Sequence, residues 1–204
     1  TGRLLKDGDV ALGAQTLCAE AHGAFTGEIS GAMLRDVGCR YVLVGHSERR
    51  RLFGETSFIV AEKFAAVRAA GLIPILCLGE SGAARQARRT FEVIAEELDI
   101  VIEKNGAMAF DNAIIAYEPI WAVGTGKCAT PEQAQEVHSF IRGRLAEDTP
   151  VIGEKVRIIY GGSVTPTNAR DLFAQPDIDG GLIGGASLDS DAFLGIVEAA
   201  MGAS

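Results

Sequence analysis

The sequence has no long apolar run and no excess of basic residues, and each absence argues against a class of function. No run approaches the roughly 18 apolar residues that span a bilayer, so no membrane partner is expected. The 27 acidic and 19 basic residues give a formal net charge of -8, and no basic cluster is interleaved with aromatic residues, which argues against a nucleic-acid partner. With 48% hydrophobic residues among 204, the chain can bury the core of one globular domain, 1–204.

Cysteine is scarce and widely spaced. The four cysteines form no C-x-x-C pair, which favours neither a disulfide framework nor a zinc site. We therefore expect a cytoplasmic protein without a metal or a cofactor. Cys77 stands inside an apolar segment, where a small buried side chain is its expected role.

Short apolar segments alternate with longer amphipathic ones. Six strand-helix units in this order predict an α/β fold with a parallel sheet, and Met33, Phe58, Phe64 and Phe91 are expected in its core. Thr130-Pro131 and Thr165-Pro166 are typical of helix starts. The predicted strands are "DVALGAQ", "YVLVG", "LIPILCLG", "AIIAYEP", "VRIIYGG" and "GGLIGG", and the predicted helices are 28–37, 56–70, 85–104, 131–146, 166–173 and 189–201.

Polar residues follow the apolar segments where parallel strands would end, the edge at which such sheets bind ligands. A lone histidine after a strand is more often structural, but His46 and Glu118 on one rim can divide acid and base roles. Glu80 either takes part in this chemistry or is a carboxylate at a helix start, and the second interpretation is favoured. The basic segment 84–89 is expected to be a solvated helix face.

Two glycine pairs also end predicted strands. Gly161-Gly162 and Gly184-Gly185 could each be a simple tight turn. Two such turns at successive strand ends, with Ser163 beside the first, instead favour backbone N–H groups exposed to hold a phosphate. Backbone donors suit an acidic chain, because amides then provide the positive field that side-chain cations do not.

The stretch "AYEPIWAVGTGK", 116–127, joins a carboxylate to a glycine-containing loop. It is not a P-loop, because Trp121 and Cys128 occupy the positions of a glycine and a Ser or Thr. It is not G-x-G-x-x-G either, because Ala129 replaces the third glycine. Glycines between stiff flanks favour a hinged lid.

The segments "GAFTGEIS", "YVLVGHSERR", "AYEPIWAVGTGK", "IIYGGSV" and "GLIGGASL" together resemble the triosephosphate isomerase family, across essentially the whole chain. The resemblance implies a TIM (β/α) barrel with six of the usual eight units, and a phosphorylated triose substrate of glycolysis and gluconeogenesis. It implies that Glu118 is the base in a reaction through an enediolate, that His46 is a neutral imidazole polarising the carbonyl, and that Glu48 is a third catalytic position. The implied phosphate-binding residues are Gly124, Ser163, Gly184 and Gly185, and the implied lid is Pro119, Ile120, Trp121, Ala122, Val123, Gly124, Thr125, Gly126 and Lys127.

The resemblance also implies an N-terminally shortened chain without the family's first two units, one of which carries an Asn and a Lys. No predicted strand supplies an N-x-K pattern, so an impaired isomerase is expected. In the family this lysine lies beside the position of Glu48, which is expected here to be buried without that cation. Open barrel edges favour a homo-oligomer. A non-catalytic remnant that binds phosphate or self-assembles is the second interpretation, and another phosphate-binding barrel enzyme is a third.

Overall fold

The computed structural model describes residues 2–5, 8–122 and 128–202. The chain divides into two compact units, Thr1–Cys77 with Asp99–Ile114 and Leu78–Leu98 with Ile115–Ser204. No helix in the described part is long and apolar enough to cross a membrane. The elements follow one another as α1 (Gly2–Leu5), β1 (Leu12–Ala14), α2 (Gly31–Asp36), β2 (Cys39–Val44), α3 (Ser47–Phe53), α4 (Ser57–Ala69), β3 (Ile73–Leu78), α5 (Gly82–Gln86), α6 (Thr90–Asn105), a 3-10 turn (Ala107–Phe110), β4 (Ile114–Tyr117), α7 (Pro131–Asp148), α8 (Pro150–Lys155), β5 (Arg157–Tyr160), α9 (Ala169–Phe173), a second 3-10 turn (Gly185–Leu188) and α10 (Ser190–Met201).

The first unit is built on parallel strands in chain order, β1-β2-β3. The pairing of β2 with β3 is regular from Tyr41 opposite Ile73 to Val44 opposite Leu76. Helix α4 contributes fully buried side chains, among them Phe64, whose ring lies 5.0 Å from that of Phe110. The β2 and β3 side chains are apolar almost throughout, as expected of strands covered on both faces.

In the second unit β4 and β5 are neighbouring strands; β4 is buried throughout, and β5 is buried at Ile158 and Tyr160. The predicted strand at 180–185 is wrong as an extended strand, because only an isolated parallel bridge joins Tyr160 to Gly181. Four of its six residues are glycines, which weaken a strand by their backbone freedom and their lack of a side chain to pack. Helix α7 begins at the predicted place, with a capping box between Thr130 and Gln133.

The predicted helix 85–104 is wrong as a single element, because α5 ends at Gln86 and α6 begins at Thr90. Arg88 has a left-handed backbone with φ 58°. The N–H of Arg88 donates to the carbonyl of Arg85 at 3.0 Å, and the N–H of Arg89 donates to the carbonyl of Ala84 at 2.9 Å. This is the Schellman pattern of helix ends, in which glycine normally occupies the left-handed position. An arginine there gives no signal in the sequence.

Two further expectations fail at helix starts and on helix faces. Thr165-Pro166 precedes a turn, and α9 begins only after Asn168, whose Oδ1 accepts from the N–H of Thr165 at 2.8 Å. Phe64 is buried as expected, whereas Met33 and Phe58 are each 59% exposed and Phe91 is 38% exposed. Phe58 is partly covered by the Lys104 ammonium, 4.4 Å from its ring centroid.

Candidate active site

Glu118 follows β4 directly and is only 2% exposed. Its backbone N–H donates to the carbonyl of Leu78 at 2.7 Å, which fixes the chain immediately beyond the strand. A carboxylate held in this way on a rigid strand end can take a proton from a bound molecule while water is kept out.

Two glycines give Glu118 its space. A Cβ on Gly161 would lie 2.9 Å from Cγ of Glu118, and a Cβ on Gly79 would collide with the Glu118 backbone carbonyl. The N–H of Gly161 donates to the carbonyl of Tyr117 at 2.7 Å. The expectation that this glycine exposes its amide to a phosphate is therefore wrong, because the amide is bonded to the neighbouring strand.

Glu80 is fully buried and accepts hydrogen bonds from several side chains. Its Oε1 accepts from the Trp121 indole at 2.9 Å and from Nη1 of Arg85 at 3.1 Å, and its Oε2 accepts from the Tyr117 hydroxyl at 3.0 Å. The interpretation of Glu80 as a helix-start carboxylate is wrong, since Ser81 caps α5. Burial, followed by the nearby Glu80 charge, raises the pKa of Tyr117 far above its usual range, so this hydroxyl remains a donor.

Arg85 departs from the solvated face expected for segment 84–89, whereas residues 86–89 are exposed as expected. Besides pairing with Glu80, its guanidinium lies 4.7 Å from the centroid of the Trp121 ring. Its side chain is 24% exposed. Glu80 and Arg85 thus hold Trp121, a residue of the expected lid, from two sides.

The first part of the expected lid lies within the described residues. The N–H of Ala122 donates to the carbonyl of Pro119 at 2.7 Å, and the N–H of Ile120 donates to the carbonyl of Glu80 at 3.2 Å. These bonds give the segment a tight turn anchored at its start. The remaining lid residues lie outside the described residues: Val123, Gly124, Thr125, Gly126 and Lys127.

The expected phosphate-binding residues Ser163, Gly184 and Gly185 belong to the second unit. Ser163 is half-buried, and its carbonyl accepts from Nδ2 of Asn168 at 3.1 Å. Gly184 and Gly185 are exposed, and a Cβ on either would meet nothing within 4 Å. The carbonyl of Gly184 accepts from the hydroxyl of Ser187 at 2.6 Å, which shapes the turn and leaves open space around both glycines.

His46 belongs to the first unit, where it caps the N-terminus of α3. Its Nδ1 accepts from the N–H of Glu48 at 3.3 Å. A ring nitrogen that accepts carries no proton, so the imidazole is neutral and its proton is on Nε2. Nε2 is therefore the nitrogen of this ring that donates.

Glu48 itself is exposed, so the expectation that it is buried is wrong. It lies in the first turn of α3, where its carboxylate suits the positive end of the helix. Helix α3 has no counterpart among the helices predicted from the sequence. Arg50 from this helix donates to the carbonyls of Gly45 and Cys77, at 2.9 and 3.4 Å, and so joins the ends of β2 and β3.

The lysines of the described residues lie on helices. Lys63 on α4 is 7% exposed and donates to Glu55 at 2.8 Å and Thr16 at 3.0 Å. Lys104 lies on α6 and Lys155 on α8. Residues 2–5, 8–122 and 128–202 also contain no group of three or more His, Cys, Asp or Glu side chains placed to hold a metal ion.

The chain is similar to known proteins along most of its length. The family model described as triosephosphate isomerase matches residues 2–200. The chain is 74% identical over 194 residues to a triosephosphate isomerase of Shewanella frigidimarina and 75% identical to those of Shewanella amazonensis and Shewanella denitrificans. In each case the match covers 95% of this chain and 75% of the relative. Its fold is accordingly the α/β TIM-barrel class, and the chain belongs to the triosephosphate isomerase family.

Proposed function

We propose that the chain interconverts dihydroxyacetone phosphate and glyceraldehyde 3-phosphate, with Glu118 as the base. The supporting observation is the carboxylate itself, which is 2% exposed, held at a strand end and closely packed against Gly161. The relatives carry the name triosephosphate isomerase.

In this reaction a Glu118 oxygen takes a proton from carbon 1 of dihydroxyacetone phosphate. The electron pair of the broken C–H bond forms a double bond to carbon 2, and the carbonyl electrons move to oxygen, which gives an enediolate. Glu118 returns the proton to carbon 2, and transfer of the remaining hydroxyl proton between the two oxygens completes the aldehyde. Exclusion of water protects the intermediate from side reactions.

His46 would stabilise the negative oxygens through its Nε2 proton. The supporting observation is that Nδ1 accepts the N–H of Glu48, so the imidazole is neutral and Nε2 is its donor nitrogen. Ser163, Gly184, Gly185 and the lid residue Gly124 are proposed to bind the substrate phosphate. For Glu48 the proposal rests on the family resemblance alone. Self-association also remains a prediction from the sequence.

The Asn and Lys of the family's first strand have no match among these 204 residues. A polypeptide restricted to them is expected to turn over roughly 100- to 1000-fold more slowly than a complete relative, the usual loss for one transition-state donor. Turnover by the 204-residue polypeptide at the rate of the Shewanella frigidimarina enzyme, measured side by side, would contradict this.

The test of the roles is the isomerisation rate of Glu118→Gln and His46→Asn. We expect Glu118→Gln to lower kcat by about 100- to 10,000-fold, the usual share of general-base catalysis. His46→Asn retains an acceptor for the N–H of Glu48 but loses the Nε2 donor, and we expect a loss of about 100-fold or more. His22→Asn, at an exposed histidine, is the matched control. Equal rates for Glu118→Gln and the parent would refute the proposal, and phosphate binding without turnover by the parent would favour the non-catalytic interpretation.

A further inference from the structure

We propose that the second unit carries a separate binding site for a small phosphate-type dianion, in the cavity between Arg85 and Arg88 at the α5–α6 turn. The cavity has a volume of about 250 Å³. Its lining includes none of the residues proposed to bind the triose. The lining residues are Arg85, Arg88, Thr90, Phe91, Glu136 and Val137.

The two guanidinium groups are the donors of this site. Arg85 is held in place, because its Nη1 bonds to Glu80 at 3.1 Å and its plane lies over the Trp121 ring. No other described hydrogen bond engages its remaining N–H groups. Arg88 is exposed, and the described residues give its side chain neither a hydrogen bond nor an ion pair. A fixed guanidinium beside an uncommitted one matches the several oxygens of a tetrahedral dianion.

The backbone of Arg88 supports a role for its side chain. Its φ of 58° is the left-handed conformation in which glycine costs least. Strained backbone of this kind persists where the surrounding structure or a function requires it. A glycine would complete the same turn but would leave the cavity without its second cation.

The neighbouring charges limit the charge of the ligand, and the cavity volume limits its size. Arg89 is bound to Glu92 at 2.5 Å and does not line the cavity. Glu136, an exposed carboxylate, does line it and opposes an anion. The volume lies below the 300 to 1,000 Å³ typical of sites for drug-sized ligands, which favours a phosphate-sized group over a nucleotide.

The experiment is a ¹⁵N NMR titration of the chain with inorganic phosphate at constant ionic strength. We expect saturable shifts of the Thr90, Phe91 and Val137 amides. Arg88→Gln should weaken this binding about fivefold or more, since it removes a charge-assisted donor. Arg89→Gln also removes one positive charge, but from a residue outside the cavity lining, and should change the phosphate affinity less than about twofold.

Two further variants give responses that general charge effects do not reproduce. Glu136→Gln should tighten phosphate binding, while Glu132→Gln, on the same helix but outside the lining, should leave it nearly unchanged. Arg88→Gly should weaken binding and yet raise the thermal midpoint, because it relieves the left-handed backbone. Equal weakening by Arg88→Gln and Arg89→Gln, or no saturation at Thr90 and Phe91, would overturn the site. Shifts confined to the amides of Ser163, Gly184 and Gly185 would also overturn the site between Arg85 and Arg88, and they would support the proposed substrate site instead.

Discussion

Acid should destabilise this fold through one buried histidine, His138. The residue is 0% exposed on α7, and its Nδ1 lies 3.0 Å from the carbonyl oxygen of Asp177. That geometry makes Nδ1 the donor, so the ring is neutral, and Nε2 has no hydrogen-bond partner among the described residues. Burial lowers the pKa of His138 from 6.5 to about 4, and the nearby Asp177 and Asp179 reduce the effect without reversing it.

The sign follows from which state binds the proton more tightly. The unfolded chain takes up the proton near pH 6.5, whereas the folded chain resists it until about pH 4. The free energy of unfolding therefore falls as the pH drops through this window. Linkage gives a loss of about 2 kcal/mol between pH 7 and pH 5, rising to about 3 kcal/mol at pH 4.

The assay is urea denaturation at pH 7 and pH 5 of the parent, His138→Asn and His22→Asn. Asparagine at 138 retains a donor for the carbonyl of Asp177 but does not take up a proton in this pH range. The free energy of unfolding of His138→Asn should therefore fall by about 2 kcal/mol less than that of the parent between pH 7 and pH 5. The exposed His22 serves as the control and should leave the parent's pH dependence unchanged. Parallel pH dependence in the parent and His138→Asn, within about 0.5 kcal/mol, would refute the reasoning.

Two other substitutions test the packing around charged groups. Gly161→Ala places a Cβ 2.9 Å from Cγ of Glu118, so we expect a lower kcat and about 1 to 3 kcal/mol less stability. The control is Gly143→Ala, whose Cβ would have no neighbour within 4 Å and which should be neutral or stabilising. Similar kinetics in both variants would count against the close approach. Lys63→Met removes one of the two cations bonded to Glu55 and leaves Arg49 at 2.8 Å. Burial alone would raise the pKa of Glu55, but its bonds to lysine and arginine lower it. We expect the free energy of unfolding, measured by urea denaturation, to fall by about 2 kcal/mol, partly restored by adding Glu55→Gln. A loss below about 1 kcal/mol would show that Arg49 alone compensates this buried carboxylate.

The strands and their ends were the predictable part of this molecule. Parallel strands covered on both faces are apolar almost throughout, so apolar segments such as "YVLVG" and "AIIAYEP" can be predicted as strands from the sequence. The first five predicted strands end within two positions of the observed ends, which is why Glu118 could be placed at a strand end before the structure. Residues 180–185 show the limit, since glycines satisfy the apolar pattern without supplying the packing that extends a strand.

Helix ends and exposed faces were less predictable because they depend on backbone geometry and distant partners. The α5–α6 turn carries arginine where glycine is the usual signal. Phe91 has the spacing of a core residue, yet it lies near the surface with its ring 4.7 Å from that of Phe140. Periodicity identifies an apolar helix face, but it does not determine how fully that face is covered.

Glu80 shows how a buried charge could be recognised from sequence alone. It follows an apolar strand without an intervening residue other than Gly79, so its side chain begins at the edge of the core. A carboxylate there needs a cation and neutral donors, because an unpaired buried charge is too costly to keep. Arg85 lies five residues ahead, Tyr117 is the last residue of the following strand, and Trp121 comes three residues after Glu118. The tyrosine and the tryptophan that donate to Glu80 thus come from the same short segment as the proposed base, so the burial of Glu80 ties this segment to the end of β3.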